Sequence, residues 1–185
     1  MINQTLNEAE SKMGKAIEVT REEFATIRAG RANPAMFAKI TADYYGTPTP
    51  IQQLASFTSQ DARTIIVAPF DMGAMSEIEK AIRDSDLGVN PTNDGKTLRC
   101  AFPELTEERR KEYIKLARAK AEEGRVSVRN IRRSAKQNLD KLEKDGEVGK
   151  DDVAGAEKKL DALTKKHTDQ IDDMVKHKET ELLEV

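Results

Sequence analysis

The sequence has one cysteine, no tryptophan and few aromatic residues, and each shortage excludes a class of protein. Because Cys100 stands alone, the chain can form no internal disulfide, and this residue has no cysteine partner for a metal or redox site. Aromatic residues make up 4% of the chain, which favours helices packed on narrow aliphatic seams over a thick globular core.

Long hydrophobic runs are missing as well. No stretch is long enough to span a bilayer, and residues 1–8 lack the basic region and apolar segment of a secretory signal. The sequence therefore predicts a cytoplasmic protein with no membrane partner.

Motifs for catalysis and metal binding are also scarce. Residues 94–97 resemble the end of a phosphate-binding loop, but the glycine that such a loop requires is replaced by Asn90, so a turn before a strand is expected instead. His167 and His177 are too far apart on one helix for an i,i+4 metal pair. We therefore predict no enzyme, no catalytic residue, no cofactor and no metal site.

What the sequence does contain is helical periodicity. Apolar residues recur every three or four positions over 2–29, over 106–144 and from Val153 to Leu182 and Val185, which predicts three long amphipathic helices. Thr106 is expected to cap the second helix, and Asp145-Gly146 to end it. Since none of these helices is stable alone in water, the sequence predicts an elongated antiparallel three-helix bundle.

Residues 31–103 have a different pattern, typical of a small inserted β/α/β domain, which makes the fold class α+β. Alternating or β-branched runs predict strands at 38–44, 51–54, 56–58, 64–68 and 97–102, with irregular structure at 45–50. A capping box of Ser76 and Glu79 predicts a short helix ending at Gly88. The predicted domains are 1–30 plus 104–185 for the bundle and 31–103 for the insert. The two connections predict a hinge formed by Gly30, Arg31, Phe102, Pro103, Glu104 and Leu105.

The second long helix carries a basic face. At about 100° per residue, one arc of roughly 100° contains Arg118, Arg125, Arg129, Arg132, Arg133 and Lys136. No acidic residue lies between Arg125 and Lys136, so we expect this face to lack the usual neutralising partners and to suit a nucleic-acid backbone. The whole chain has a net charge of −2, yet residues 104–145 carry +4 and residues 146–185 carry −4. The alternative is a solvated face that only keeps the helix soluble.

Five stretches together resemble the ribosome recycling factor family: IRAGRANP at 27–34, YYGTPTP at 44–50, KAIRDSDLGVNP at 80–91, LTEERRK at 105–111 and VRNIRR at 128–133. The resemblance implies a bundle of near tRNA dimensions with a hinged β/α/β domain set roughly at a right angle. It also implies that this protein, with elongation factor G and GTP, splits the post-termination ribosome into subunits. The implied contacts with large-subunit ribosomal RNA are Arg28, Arg31, Arg110, Arg129 and Arg132, and the small domain is implied to face the translocase. One departure is Glu104, which follows Pro103 where family members often have a second proline.

Residue pattern and resemblance together predict a monomeric, non-enzymatic factor that binds ribosomal RNA through the basic face, including Arg125, Arg133 and Lys136. The alternative is a coiled-coil adaptor or chaperone cofactor that binds only protein. An enzyme that binds nucleotide at the turn around Gly95 is a third and more distant possibility.

Overall fold

The structure, a computed structural model, describes residues 1–184 and divides into two compact units. The first comprises Met1–Phe24 and Lys115–Glu179, and the second comprises Ala25–Ile114 and the chain from Thr180 onward. The predicted domain boundaries near residues 30 and 103 both fall inside the second unit, so the predicted division stays a prediction.

The described residues form four α-helices and six strands. In chain order these are α1 (Ile2–Ala25), β1 (Thr41–Tyr44), β2 (Thr47–Pro50), β3 (Ala55–Asp61), β4 (Thr64–Pro69), α2 (Met75–Arg83), β5 (Thr92–Asn93), β6 (Leu98–Ala101), α3 (Glu107–Lys144) and α4 (Lys150–Leu183). Three short 3-10 helices lie at Pro34–Phe37, Ile51–Gln53 and Met72–Ala74. The predicted α+β class is confirmed.

In the first unit, α1, α3 and α4 pack as the predicted bundle. Lys120 of α3 pairs with Glu23 of α1 at 3.5 Å, whereas Asn138, late in α3, lines the same groove as Thr5, early in α1, so these two helices are antiparallel. The ion pairs between α3 and α4 run in antiparallel register as well, from Arg118 with Glu179 to Lys136 with Glu157.

The predicted limits of α3 are confirmed by its caps. The Thr106 hydroxyl accepts a hydrogen bond from the Arg109 amide at 3.1 Å. At the other end, Gly146 has a φ of 73° and donates to the Glu143 carbonyl, while the Glu147 amide donates to the Leu142 carbonyl. These two bonds form a Schellman motif, which requires the positive φ that glycine adopts readily.

The predicted seams are largely confirmed, with differences on α3 and α4. Leu116 is exposed and Gly124, outside the predicted stripe, is buried. In α4, Val175 is buried while the predicted Met174 is only half-buried. The change from Met174 to Val175, one residue or about 100° around α4, follows from packing against two helices at once, which a single periodicity does not specify. Val185, the last predicted seam residue, lies outside the described residues.

The second unit contains an antiparallel sheet in the order β3-β4-β6-β5 and a separate hairpin of β1 and β2. Its core is formed by side chains from the sheet and from α2, among them Ile65, Val67, Ile78, Ile82 and Leu98, all of which are fully buried. The predicted strand at 64–68 and the final strand are thus present, while β5 went unpredicted because it is only two residues long.

The prediction of irregular structure at 45–50 is wrong, because Thr47–Pro50 forms β2. Tyr45 and Gly46 both have positive φ, 50° and 85°, as a tight two-residue hairpin turn needs. Pro48 pairs with Asp43 and Pro50 with Thr41. These positions alternate with the hydrogen-bonded pairs of the ladder, so the missing proline N–H groups leave no bond unmade.

Other local predictions are wrong by several residues. The predicted strand at 51–54 is a 3-10 turn, and only Thr41–Tyr44 of the predicted strand at 38–44 is extended. Helix α2 begins at Met75 without a side-chain cap, and Glu79 of the expected capping box instead pairs with Arg83 at 3.1 Å. It ends at Arg83, before Gly88. Helix α1 ends at Ala25, four residues before the predicted end, and Ile27, Arg28 and Ala29 beyond it are buried.

Candidate nucleic-acid interface

The basic face of α3 is present, but the expectation that acids do not neutralise it is wrong. Four of its cations pair with carboxylates of α4: Arg118 with Glu179 at 2.6 Å, Arg125 with Asp172 at 2.7 Å, Arg132 with Asp161 at 2.7 Å and Lys136 with Glu157 at 3.1 Å. We call this set the ion-pair row. Counting acids along α3 alone missed it, because the partners are brought from a second helix by the antiparallel packing.

The row has a gap at Arg129. Between Asp161 and Asp169, α4 carries no carboxylate, and Arg129 instead reaches Glu122 on its own helix at 3.1 Å. The hydrogen bond from Arg129, and a second one from Arg125, lower the pKa of Glu122, so this carboxylate stays charged. One turn further along, Arg133 is exposed and makes no ion pair with any residue of the described chain.

Two arginines of the row are engaged to different degrees. Arg125, whose side chain is 22% exposed, directs Nε and Nη2 to Asp172 and Nη1 to Glu122. Arg132 is 35% exposed and donates only Nε, to Asp161 Oδ1. Within residues 1–184, its two terminal nitrogens have no hydrogen-bond partner. Arg132 thus offers two terminal nitrogens without a protein partner to an anion, whereas every nitrogen of Arg125 already has a protein partner.

Arg28 has surroundings of another kind, in the second unit. It is 6% exposed, donates a hydrogen bond from Nη2 to the Pro103 carbonyl and stacks over the Phe102 ring at 5.4 Å. Burial lowers the pKa of its guanidinium, but an arginine remains charged at any physiological pH. In this arrangement Nη2 of Arg28 is bound by protein, and its implied role as an RNA contact stays a prediction.

Arg31 and Arg110 line one cleft of about 600 Å³ in the second unit, with Arg63 and the acids Glu104, Glu181 and Glu184. Arg31 is exposed and Arg110 is half-buried. The cleft therefore holds both charge signs, unlike a site selective for phosphate.

The residues of the predicted hinge lie together in the second unit. Phe102 and Leu105 are buried, while Glu104 is exposed and pairs with Arg63 at 3.7 Å. Gly30 does not have positive φ. A Cβ at this position would lie 3.2 Å from the Glu184 carbonyl oxygen, so a side chain there would require the backbone at Glu184 to move by a few tenths of an ångström.

An exposed apolar patch was missed by the sequence reasoning. Tyr45, Phe70 and Met72 are 82%, 70% and 51% exposed. The hydroxyls of Tyr44 and Tyr45 both donate to Asp71 Oδ2, at 2.9 Å and 3.3 Å, and so hold the Tyr45 ring beside the segment that carries Phe70 and Met72. The sequence feature that could have revealed this patch is the pair of large apolar residues Phe70 and Met72 in the short connection between Pro69 and Gly73.

The turn at residues 94–97 is as predicted. The Asp94 carboxylate accepts hydrogen bonds from the amides of Thr97 and Lys96 and from the Thr97 hydroxyl, which lowers its pKa to about 2.

His167 is buried in the α4 seam, with Nδ1 2.7 Å from the Leu163 carbonyl oxygen. Across residues 1–184, no group of His, Cys, Asp and Glu side chains could hold a metal ion, and no helix has the length and apolar character to cross a membrane.

Comparison with known proteins gives a consistent result. Residues 20–183 match the family model described as ribosome recycling factor. Ribosome-recycling factors of Nocardioides sp. and Acidothermus cellulolyticus are 73% and 67% identical to this chain, each over the full length of both proteins.

Two solved structures are similar over the whole fold. A solution structure of the ribosome recycling factor is 38% identical with a TM-score of 0.77, covering 100% of this chain and 98% of that one. The second is the T. thermophilus ribosome recycling factor, described with E. coli elongation factor G as bound to the E. coli post-termination complex. It is 42% identical with a TM-score of 0.69, covering 100% of both chains.

Proposed function

The chain belongs to the ribosome recycling factor family, and we propose that it acts on the post-termination ribosome with elongation factor G and GTP, splitting the ribosome into subunits for another round of translation. The role is non-enzymatic, since the GTP is hydrolysed by the partner. The proposed partners are large-subunit ribosomal RNA and elongation factor G, and the proposed state is a cytoplasmic monomer.

The observation that carries the RNA contact is the gap in the ion-pair row. Arg129 and Arg133 lie one helical turn apart on α3, and no α4 carboxylate faces them. Arg132, beside them, keeps its two terminal nitrogens without a protein partner. We therefore assign the phosphate contacts to Arg129, Arg132 and Arg133. We treat Arg125 and Lys136 as secondary contacts, because each is paired with one acid of α3 and one acid of α4.

Cosedimentation with isolated large subunits across a salt series tests this assignment. If about five phosphates are neutralised, the logarithm of affinity should fall with the logarithm of salt at a slope on the order of −4, and each lost contact should reduce that slope by nearly one. Arg129→Gln with Arg133→Gln should reduce it by about two. Lys159→Gln, which removes an exposed cation on the side of α4 away from the ion-pair row, is the matched control.

Arg132 gives a second arm of the same experiment. Arg132→Glu should weaken large-subunit binding far more than Arg132→Gln, because it adds repulsion as well as removing a contact, while the melting temperature stays nearly unchanged. Normal binding of Arg132→Glu with an unchanged slope would make the α3 face a solvated surface. Binding that is insensitive to salt would favour the adaptor alternative, in which the protein binds only protein.

The exposed apolar patch of Tyr45, Phe70 and Met72 is the surface we propose for elongation factor G. Exposed aromatic and methionine side chains are enriched at protein interfaces, and the two tyrosine hydroxyls bonded to Asp71 fix the shape of this patch before binding. Phe70→Ser should leave large-subunit binding unchanged and slow subunit splitting by elongation factor G. Val19→Ser, which replaces an exposed apolar residue of α1, is the control and should do neither.

A further inference from the structure

We propose, on the basis of the proposed function, that Asp161 is a positioning residue that holds the Arg132 guanidinium with its two terminal nitrogens turned outward for an RNA phosphate. The ordinary expectation for an acid beside an RNA-binding arginine is the opposite, namely that it competes with phosphate and weakens binding. The geometry around Arg132 favours positioning.

Asp161 binds only one of the three guanidinium nitrogens of Arg132. Asp161 Oδ1 lies 2.7 Å from Arg132 Nε, the nitrogen nearest the backbone. A planar guanidinium held at Nε still presents the edge formed by Nη1 and Nη2, and that pair can donate two parallel bonds to a phosphate. Asp161 therefore fixes the direction of the fork without using the donors that an RNA ligand would take.

Arg125, in the same ion-pair row, is bound by protein at more of its nitrogens than Arg132. There Asp172 Oδ1 takes both Nε and Nη2, at 2.8 Å and 2.7 Å, and Glu122 takes Nη1 at 3.2 Å. Every nitrogen of Arg125 has a protein partner, so this residue braces α3 against α4. Both arginines lie on one face and both donate Nε to an α4 aspartate, but the terminal nitrogens of Arg125 are also bound by protein, whereas those of Arg132 are not.

Holding Arg132 in place before binding reduces the entropic cost of RNA binding. Immobilising a long, flexible side chain at an interface opposes binding, and restraint before binding reduces that cost. Asp161 is on α4, a rigid helix, and its contact with Arg132 spans the two helices, so the arginine is restrained before RNA arrives. Loss of this restraint should weaken binding even though a negative charge is removed.

The test is large-subunit cosedimentation at one salt concentration, with melting temperature measured for every variant. Asp161→Ala should weaken binding about two- to tenfold, the range expected for one released side chain. Asp161→Asn keeps an oxygen that accepts from Nε, so it should bind at least as tightly as wild type. Asp173→Ala is the matched control: Asp173 is an exposed acid on the same helix with no ion pair to the described chain, and its loss should not weaken binding.

A double-mutant cycle assigns the effect to Arg132. In an Arg132→Gln background, Asp161→Ala should no longer weaken binding. The proposal is overturned if Asp161→Ala binds as tightly as wild type or more tightly, if Asp161→Asn fails to restore affinity, or if Asp161→Ala still weakens the Arg132→Gln protein. Failure of wild type itself to bind large subunits would instead overturn the proposed function, and this assignment with it.

Discussion

Arg28 and Arg132 were both predicted as RNA contacts, yet the two regions that contain them are built differently. Arg28 lies in the second unit, is 6% exposed, and bonds a backbone carbonyl while stacking on Phe102. Arg132 lies in the first unit, is 35% exposed and is held by one nitrogen. The same residue type is part of a folded interior in one place and of an accessible surface in the other.

Whether an arginine contributes mainly to folding stability or to RNA binding depends on which groups surround its guanidinium in place of water. A buried guanidinium must keep its hydrogen bonds, because an unpaired polar group in the interior costs free energy. An exposed ion pair contributes little to stability, since water screens it. Stability and RNA binding should therefore be separable, with Arg28 affecting mainly the first and Arg132 mainly the second.

The largest effect is expected for Arg28→Gln. The variant loses the cation–π contact with Phe102 and leaves the Pro103 carbonyl without its donor, which together should cost about 2–4 kcal/mol of unfolding free energy. The melting temperature should fall by roughly 5–12 °C, as measured by calorimetry. Arg31→Gln, the same exchange at an exposed position nearby, should change it little. An unaltered melting curve with a reduced salt slope would instead make Arg28 an RNA contact.

Cys100 provides a probe of the second unit. It is fully buried, and burial raises the pKa of its thiol to about 12. The thiol should therefore resist alkylation at pH 8 until this unit opens, and Arg28→Gln should speed labelling where Arg132→Gln does not. Because the unfolded chain loses this proton from about pH 8.5 and the folded chain keeps it, stability should decline as pH rises above that value. Equal labelling rates in both variants would contradict the comparison.

An intermediate effect is expected at Gly124, where α3 lies close to side chains of both α1 and α4. A Cβ there would lie 2.5 Å from Thr20 Oγ1 and 3.1 Å from Ile171 Cδ1. Gly124→Ala should thus destabilise by about 1–3 kcal/mol despite the better helix propensity of alanine. Adding Thr20→Ala removes the clashing hydroxyl and should restore much of the loss in urea unfolding. If Gly124→Ala alone is stabilising, the helices adjust more freely than this contact implies.

The smallest effect on stability is expected along the ion-pair row. Arg125→Gln removes ion pairs to Asp172 and Glu122, yet it should cost no more than about 1 kcal/mol, because both acids remain largely exposed. The same urea unfolding measurement checks this value, and Arg118→Gln, an exposed member of the row, is its control. A loss as large as that at Arg28 would mean that the row is a main source of bundle stability.

Much of the bundle could be predicted from local pattern. Thr106 and Gly146 bound α3 where expected, because capping and positive φ are properties of a few adjacent residues. The hairpin at 41–50 was missed, although Tyr45-Gly46 carries the turn signal. Proline lacks a backbone N–H, so the two prolines argue against a strand only if the ladder needs a donor at their positions. Whether it does depends on the register with the partner strand. The basic face was found from helical geometry, but its neutralisation was not, because Asp161 and Asp172 come from another helix.

The sequence alone was enough to place the long helices and to find the basic face of α3. It also showed that residues 31–103 are of mixed α and β structure and indicated the family to which the chain belongs. These properties follow from spacing along the chain, which a helix or strand converts directly into a face. Only the tertiary structure showed that Arg28 is buried, that Gly124 lies against Thr20, and that Asp172 binds two nitrogens of Arg125 whereas Asp161 binds only Nε of Arg132. Each of these depends on atoms of residues distant in sequence, whose approach is set by packing and not by local pattern.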